Sequence, residues 1–211
     1  MRSALVCASA PMPMTSEATV SDLALQVQAM PHIPVCSTIE ASTDSLAVYE
    51  EFYTQMRFSS APNFIMTQGH SPTVARGTWD LVRSVLVSGE LPRWIKEMMF
   101  VAISSERKCR YCTAAHIACC RMLSVNPDWI KLAAVDVNAI PDKKLREMIL
   151  FALKCSRDPQ SLAETDYAKL RKHGLENKEI VEIISMAGLA VYANILADAT
   201  GMEEDPMFDA Y

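Results

Sequence analysis

The chain has 211 residues, half of them apolar, with a formal net charge of −5 and no basic block. That length can bury a sizeable core as one domain, and the charge argues against nucleic-acid binding. Seven cysteines, an odd number without a staple-like spread, point to a reducing compartment with one catalytic or metal-binding pair, not to a secreted disulfide scaffold.

The N-terminus, MRSALVCASAPMPM, has one Arg and a short apolar run broken by Pro11 and Pro13. It makes a poor secretory signal, and the late first acidic residue, Glu17, is weak support for an organelle presequence. With Pro31 and Pro34 among Ser, Thr and Ala, residues 1–41 read as an irregular arm. The longest apolar run, Ile183 to Ala193, is about eleven residues with Ser185 inside it, against about twenty for a membrane span. A soluble, cytoplasmic protein is expected.

Helices follow in order. Ser42-Thr43-Asp44 offers N-caps for a helix through Val48, Tyr49, Phe52 and Met56. Pro62 restarts a short helical turn through Phe64 and Met66. Ser71-Pro72 opens a helix expected to end at Gly89, and Leu91-Pro92 opens the next, to about residue 106. Residues 109–124 hold good helix formers without Gly or Pro. Asn126-Pro127-Asp128 and Pro141-Asp142 start two more, the second stopping before Pro159. Ser161 with Glu164 reads as a capping box for a helix ended by Gly174. The last helix, about 178–199, is apolar nearly all round and should be buried in the bundle or in a subunit interface. No stretch alternates with period two. The fold class expected is all-α, with an arm over 1–41, a helical domain over 42–204 and a tail over 205–211.

The segment 96–102, KEMMFVA, is echoed fifty residues later by 146–152, REMILFA. The echo is either a degenerate duplication or two amphipathic helices of similar composition. Where a second Cys-x-x-Cys would begin stands Pro159.

The chemistry concentrates between Glu97 and His116. Cys109, Cys112 and His116 fall at i, i+3 and i+7 of one helix and so share a face. The helices on either side of residues 107–108 can fold back as a hairpin. Glu97 and His116 then both lie roughly 12–15 Å from the hinge and can face each other, so the carboxylate can fix the imidazole's tautomer. His116 is one turn from Cys112 and two from Cys109, which makes Cys112 the thiol it deprotonates. The imidazole, the helix N-terminus and the cations Arg107, Lys108 and Arg110 are all expected to lower that thiol from about 8.5. Cys109, nearer the helix end and more accessible, is the resolving thiol.

Zinc is the alternative use of such residues. The stripe Cys109, Cys112, His116, Cys119 rises about 15 Å along a straight helix, whereas ligands on one zinc lie within about 4 Å of each other. No metal or cofactor is therefore expected. Asn194 and Asp198 read as a structural or interface pair, His70 and His173 as capping or solvated residues, and Cys119 and Cys120 as small core residues.

The pattern Glu-x11-Cys-x-x-Cys-x3-His, with Tyr111 before the second cysteine, is similar to the AhpD-like branch of the carboxymuconolactone decarboxylase superfamily. Its peroxidase-related members look nearest. The resemblance runs from Pro62-Asn63-Phe64 through Leu91-Pro92 and CRYC to LRKHGLENKEIVEIISMAGLAVYANILADATG, most of residues 45–201. It implies an all-α, oligomeric protein, a trimer or hexamer, that reduces organic hydroperoxides. Cys112 is then the peroxidatic thiol, Cys109 the resolving thiol, and Glu97 with His116 the proton relay. Electrons would return from a dithiol, either a lipoyl group on a partner protein or a thioredoxin-like protein. Tyr111 departs from the pattern, because the best-known peroxidases carry a histidine there. Two other functions compete: lactone decarboxylation, which does not depend on a Cys-x-x-Cys, and a non-enzymatic redox sensor, which oxidises once where an enzyme cycles.

Overall fold

A computed structural model describes residues 31–210, all within one of the two compact units into which the chain divides, residues 31–211. The expectations for Cys7 and for a presequence lie outside the described residues. Among these residues there are nine α-helices and no strand, so the all-α expectation holds.

The first helix, α1, spans Thr43–Met56. Ser42 caps it by accepting from the Ser45 amide at 3.2 Å, which satisfies one otherwise unpaired donor of the first turn. Next come α2, Asn63–Gln68, and α3, Pro72–Val82. A π-helical turn over Arg83–Val87 carries α3 toward Gly89, where it was expected to end. Gly89 has φ +107°, and a Cβ there would sit 2.6 Å from the Glu182 carboxylate, so only glycine fits.

The same carboxylate accepts from the Glu90 amide at 2.6 Å and the Leu91 amide at 3.1 Å, and from Lys96 Nζ at 2.9 Å. Lys96 is fully buried and also donates to the carbonyls of Val85, at 2.9 Å, and Ser88. An ammonium is tolerated in a core only when its donors are paired. Here all three are, and the knot fixes the start of the next helix.

That helix, α4, spans Arg93–Glu106, and α5 spans Arg110–Met122. Lys108 turns the chain between them with φ +62°, and the Cys109 amide donates to the Ser104 carbonyl at 3.0 Å. The expected hairpin forms, with Cys109 as the N-cap of α5. Asn126 caps α6, Pro127–Val135, and Asp142 caps α7, Lys143–Arg157. Ser161 does not cap α8, Glu164–Lys172. Its hydroxyl donates to the Asp158 carbonyl, and the Asp166 carboxylate accepts from the Ala163 amide instead. The chain starts the helix two residues later because that pairing satisfies a first-turn donor.

The longest helix, α9, spans Asn177–Thr200. It is long and apolar enough to cross a membrane, but half of its most apolar stretch is buried against the bundle. The bundle is built around α4, with α5, α6, α7 and α9 packed on it. Met98, Met99, Ile103, Ile149, Ile183 and Met186 meet in the centre, fully buried, each contributing about 1.5–3 kcal/mol.

The outer face of α9 is a different surface. Val181, Ile184 and Ile195 are exposed there, with Gly188 between them, on one helical stripe. Such a stripe calls for a cover. Light scattering at micromolar concentration should give a multiple of the 23.4 kDa chain mass, and Ile184→Glu should lower it. A wild-type monomer would contradict this.

Two segments outside the main helices pack back on the bundle. His32 and Ile33 amides donate to the Thr200 carbonyl. Pro206–Ala210 forms a short 3-10 turn that buries Phe208 against Phe58 and Tyr111.

Candidate active site

The hairpin brings Glu97 and His116 together. Glu97 is fully buried, and its Oε2 accepts from His116 Nδ1 at 2.5 Å. Its Oε1 accepts from Arg93 Nε at 2.9 Å, one turn earlier on α4. Burial opposes charge on this carboxyl, but His116 and Arg93 together hold it below the usual carboxylate range. The Phe100 ring stacks on the imidazole, centroids 3.5 Å apart and planes 15° from parallel. With Nδ1 given to the carboxylate, Nε2 is left as the imidazole's basic nitrogen.

Cys109 and Cys112 are both free thiols and both buried. Cys109 was expected to be the more accessible, yet it has no exposed surface at all. The two border different cavities. Cys112 lines an apolar cavity of about 50 Å³ together with His116, Phe58, Phe64, Phe100, Tyr111 and Phe208. Cys109 instead borders an open cavity of about 480 Å³ on the outer side, beside Lys108, Arg110 and Glu204. A larger cavity, about 600 Å³ between α7 and α8, is lined by Glu147, Lys154, Arg157, Asp166 and Lys169 and holds neither thiol nor imidazole. Of the cavities described, the small one brings a thiol and the imidazole together.

The expected lowering of the Cys112 thiol is reversed. The hydrogen-bonded neighbour Cys109 and burial push it up, and the Asp198 carboxylate adds to them; only Asn194 acts the other way. One expected lowering influence is absent for a geometric reason: Arg110 points outward, 90% exposed, and pairs with Glu204 at 3.1 Å, so its charge is screened from the sulfur. A thiol held this high carries almost no resting thiolate at neutral pH, and His116 lies one turn along its helix face and lines the same cavity.

Tyr111 has no part in that relay. Its hydroxyl donates to Asp205 Oδ2 at 2.7 Å and accepts from the Phe64 amide at 3.0 Å. Burial, then Asp205, pushes its ionisation well up. It ties the C-terminal turn to the cavity wall. Tyr111→Phe should destabilise the fold by about 1–3 kcal/mol, the cost of leaving the Phe64 amide donor without its partner, and leave Cys112 open to alkylation. A calorimetric scan and an alkylation assay check the two halves.

Glu97, His116 and Cys119 offer donor atoms within 4.8 Å of one another. As a metal set they fit poorly. Both Glu97 oxygens are engaged, and the Arg93 guanidinium lies 4.0 Å from Cys119 Sγ, adding positive charge where a cation would bind. Burial, with Glu97 next, pushes the Cys119 thiol well up, and burial raises Cys120 and Cys155 too. These are core thiols.

Sequence reasoning missed Arg93, Phe100 and Asn194. The first two sit one turn before Glu97 and one turn after Lys96 on α4 and were readable at helical spacing. Asn194 was noticed as a polar residue on an apolar helix, without its target. His70 and His173 fall where expected: His70 Nε2 lies 2.9 Å from the Pro34 carbonyl, and His173 follows the end of α8.

No family model and no curated protein matches this sequence. Solved structures do. An uncharacterized peroxidase-related protein from Ralstonia eutropha JMP134, described as an alkylhydroperoxidase AhpD core, is 26% identical with a TM-score of 0.77 over 85% of this chain and 94% of that one. An uncharacterized peroxidase-related protein from Silicibacter sp. TM1040 is 24% identical, TM-score 0.75, over 85% and 96%. The debrominase Bmp8, solved with 2,3,4-tribromopyrrole, shares the fold at 18% identity, TM-score 0.72, over 84% and 94%. The chain has an AhpD-like fold, which it shares with peroxidase-related proteins and with a debrominase.

Proposed function

We propose that this chain of the AhpD-like superfamily is a thiol-dependent peroxidase for organic hydroperoxides. One observation carries the reading: Cys112 and His116 line the same apolar cavity, with Nδ1 of the imidazole held by a buried carboxylate at 2.5 Å. The aromatic walls suit the carbon part of a hydroperoxide. His116 takes the Cys112 proton as the sulfur attacks the terminal peroxide oxygen. The O–O bond breaks, an S–O bond forms, and the departing alkoxide takes the proton back as alcohol. Cys109 then attacks the Cys112 sulfenic acid; the S–S bond forms and water leaves with the Cys109 proton.

The oxidised pair is reopened by a dithiol. A lipoyl group or a thioredoxin-like protein approaches from the open outer cavity that Cys109 borders, reaches the sulfur once that wall opens, and leaves as its own disulfide, restoring both thiols. No resident cofactor enters this cycle. Lactone decarboxylation would leave the cysteine pair without a use, and a sensor would leave the cavity without one. One equivalent of cumene hydroperoxide added to the reduced protein should yield one equivalent of alcohol and a Cys109–Cys112 disulfide, read by mass spectrometry. Unconsumed peroxide with both thiols free would overturn the reading.

A further inference from the structure

The cavity shared by Cys112 and His116 measures about 50 Å³, well below the roughly 150 Å³ of a cavity that takes up benzene. Cys112 itself is 2% exposed. An organic substrate therefore reaches the sulfur only when a wall moves. Most of the walls belong to the bundle: Phe100 on α4, Tyr111 to Cys119 on α5, Ala193 on α9. Phe208 does not. It comes from the short turn Pro206–Ala210, the last described element of the chain, and it lines two spaces at once. Inside it is the site cavity; outside it is a crevice of about 370 Å³ bordered by Ala114, Ile117, Glu204 and Asp205. Among the described residues Phe208 alone lines both. One buried ring separates them.

The segment that carries this ring is fastened at one place. The Asp205 carboxylate accepts from the Asn63 amide at 3.0 and 3.1 Å and from the Tyr111 hydroxyl at 2.7 Å. Asn63 Nδ2 donates to the neighbouring Glu203 carbonyl at 3.1 Å. Gly201, left-handed at φ +64°, ends α9 just before the segment begins. A terminal turn held by one polar latch and one ring opens at much lower cost than a bundle helix. Resting on the peroxidase reading for what passes through, we infer that residues 202–210 gate the active site, with Asp205 as the latch and Phe208 as the blocking ring. Turning the ring outward joins the crevice to the cavity and gives a hydroperoxide its way to Cys112 and His116. The outward ring still forms a wall of the enlarged space, so its size limits which carbon groups enter.

The test is alkylation of Cys112 in the reduced full chain, with iodoacetamide as the small reagent and N-(1-pyrenyl)maleimide as the bulky one. Peptide mass spectrometry reads each modified cysteine. Phe208→Ala should speed the bulky reagent at Cys112 by about tenfold or more, because the burial that holds the turn shut goes with the ring. The small reagent should gain less. Asp205→Asn keeps the ring and weakens the latch, and should speed both reagents. Cys120 and Cys155, buried and outside the cavity lining, should stay protected throughout. Phe64→Ala enlarges the same cavity from a wall that does not border the crevice, and should leave the bulky rate in place. An unchanged Cys112 rate in Phe208→Ala, or an equal rise in Phe64→Ala, would overturn the inference. A rise at Cys112 matched at Cys120 and Cys155 in both gate variants would mark loosening of the whole bundle and overturn it too. The expected alkylation pattern in a protein that turns over no cumene hydroperoxide would instead count against the peroxidase reading alone.

Discussion

On the proposed cycle, Cys112→Ser should abolish peroxide consumption, whereas Cys109→Ser should arrest the protein as a sulfenic acid on Cys112 after one turnover. The two sulfurs are one helical turn apart and equally buried, so accessibility does not separate them. Surroundings do. Cys112 faces the aromatic cavity with His116, and Cys109 faces the outer one with Lys108 and Arg110. A peroxide held by Phe58, Phe64 and Phe208 therefore meets only one thiol with a base beside it. The expected loss in Cys112→Ser is complete, because a serine hydroxyl cannot be oxidised along this path. Folding should survive, since the substitution is close in size. Dimedone labelling followed by peptide mass spectrometry reads both variants. Sulfenic acid on Cys109 of the Cys112→Ser protein, formed at the wild-type rate, would reverse the assignment.

Glu97→Gln should lower turnover by about 10²-fold or more, the range for a general acid–base group. The carboxylate can only accept, which holds the His116 proton on Nδ1 and leaves Nε2 basic. A glutamine amide can donate to Nδ1, which moves the ring proton to Nε2 and removes the base. Arg93 keeps an acceptor in the glutamine carbonyl but loses a charged one, so stability should fall modestly, about 1–3 kcal/mol. Its pH dependence has a definite sign. Glu97 is held below the usual carboxylate range. The stability it contributes is therefore present above about pH 4.3, is lost as pH falls through the depressed value, and is missing from the variant. A purely structural ion pair would show the stability loss with unaltered turnover.

Much of this architecture is written in local chemistry. Ser42, Asn126 and Asp142 cap the helices they open, because each needs only its own next few amides. The meeting of Glu97 and His116 follows from two helix lengths and a hinge. What lies beyond the sequence is what depends on distant partners. Arg110 looked like a neighbour of the thiols, but Glu204, almost a hundred residues on, draws it outward. The lowering expected from that cation is therefore missing, and the neighbouring Cys109 and burial raise the thiol instead. Asn194 carries no local sign of its target, since α9 meets Ser104 only once the bundle closes. The residues expected as a tail supply Phe208 to the cavity wall and Asp205 as the partner of Tyr111, through contacts made across the chain. The shift of the α8 cap from Ser161 to Asp166 is a smaller case, decided between two adequate local pairings.

The central claim is that the cysteine pair cycles. Reduced wild-type protein, given excess cumene hydroperoxide and excess dihydrolipoamide, should release many equivalents of alcohol per chain at a steady rate, with one lipoamide disulfide formed for each alcohol. A single equivalent of alcohol per chain, with no further release while dihydrolipoamide remains, would contradict the account.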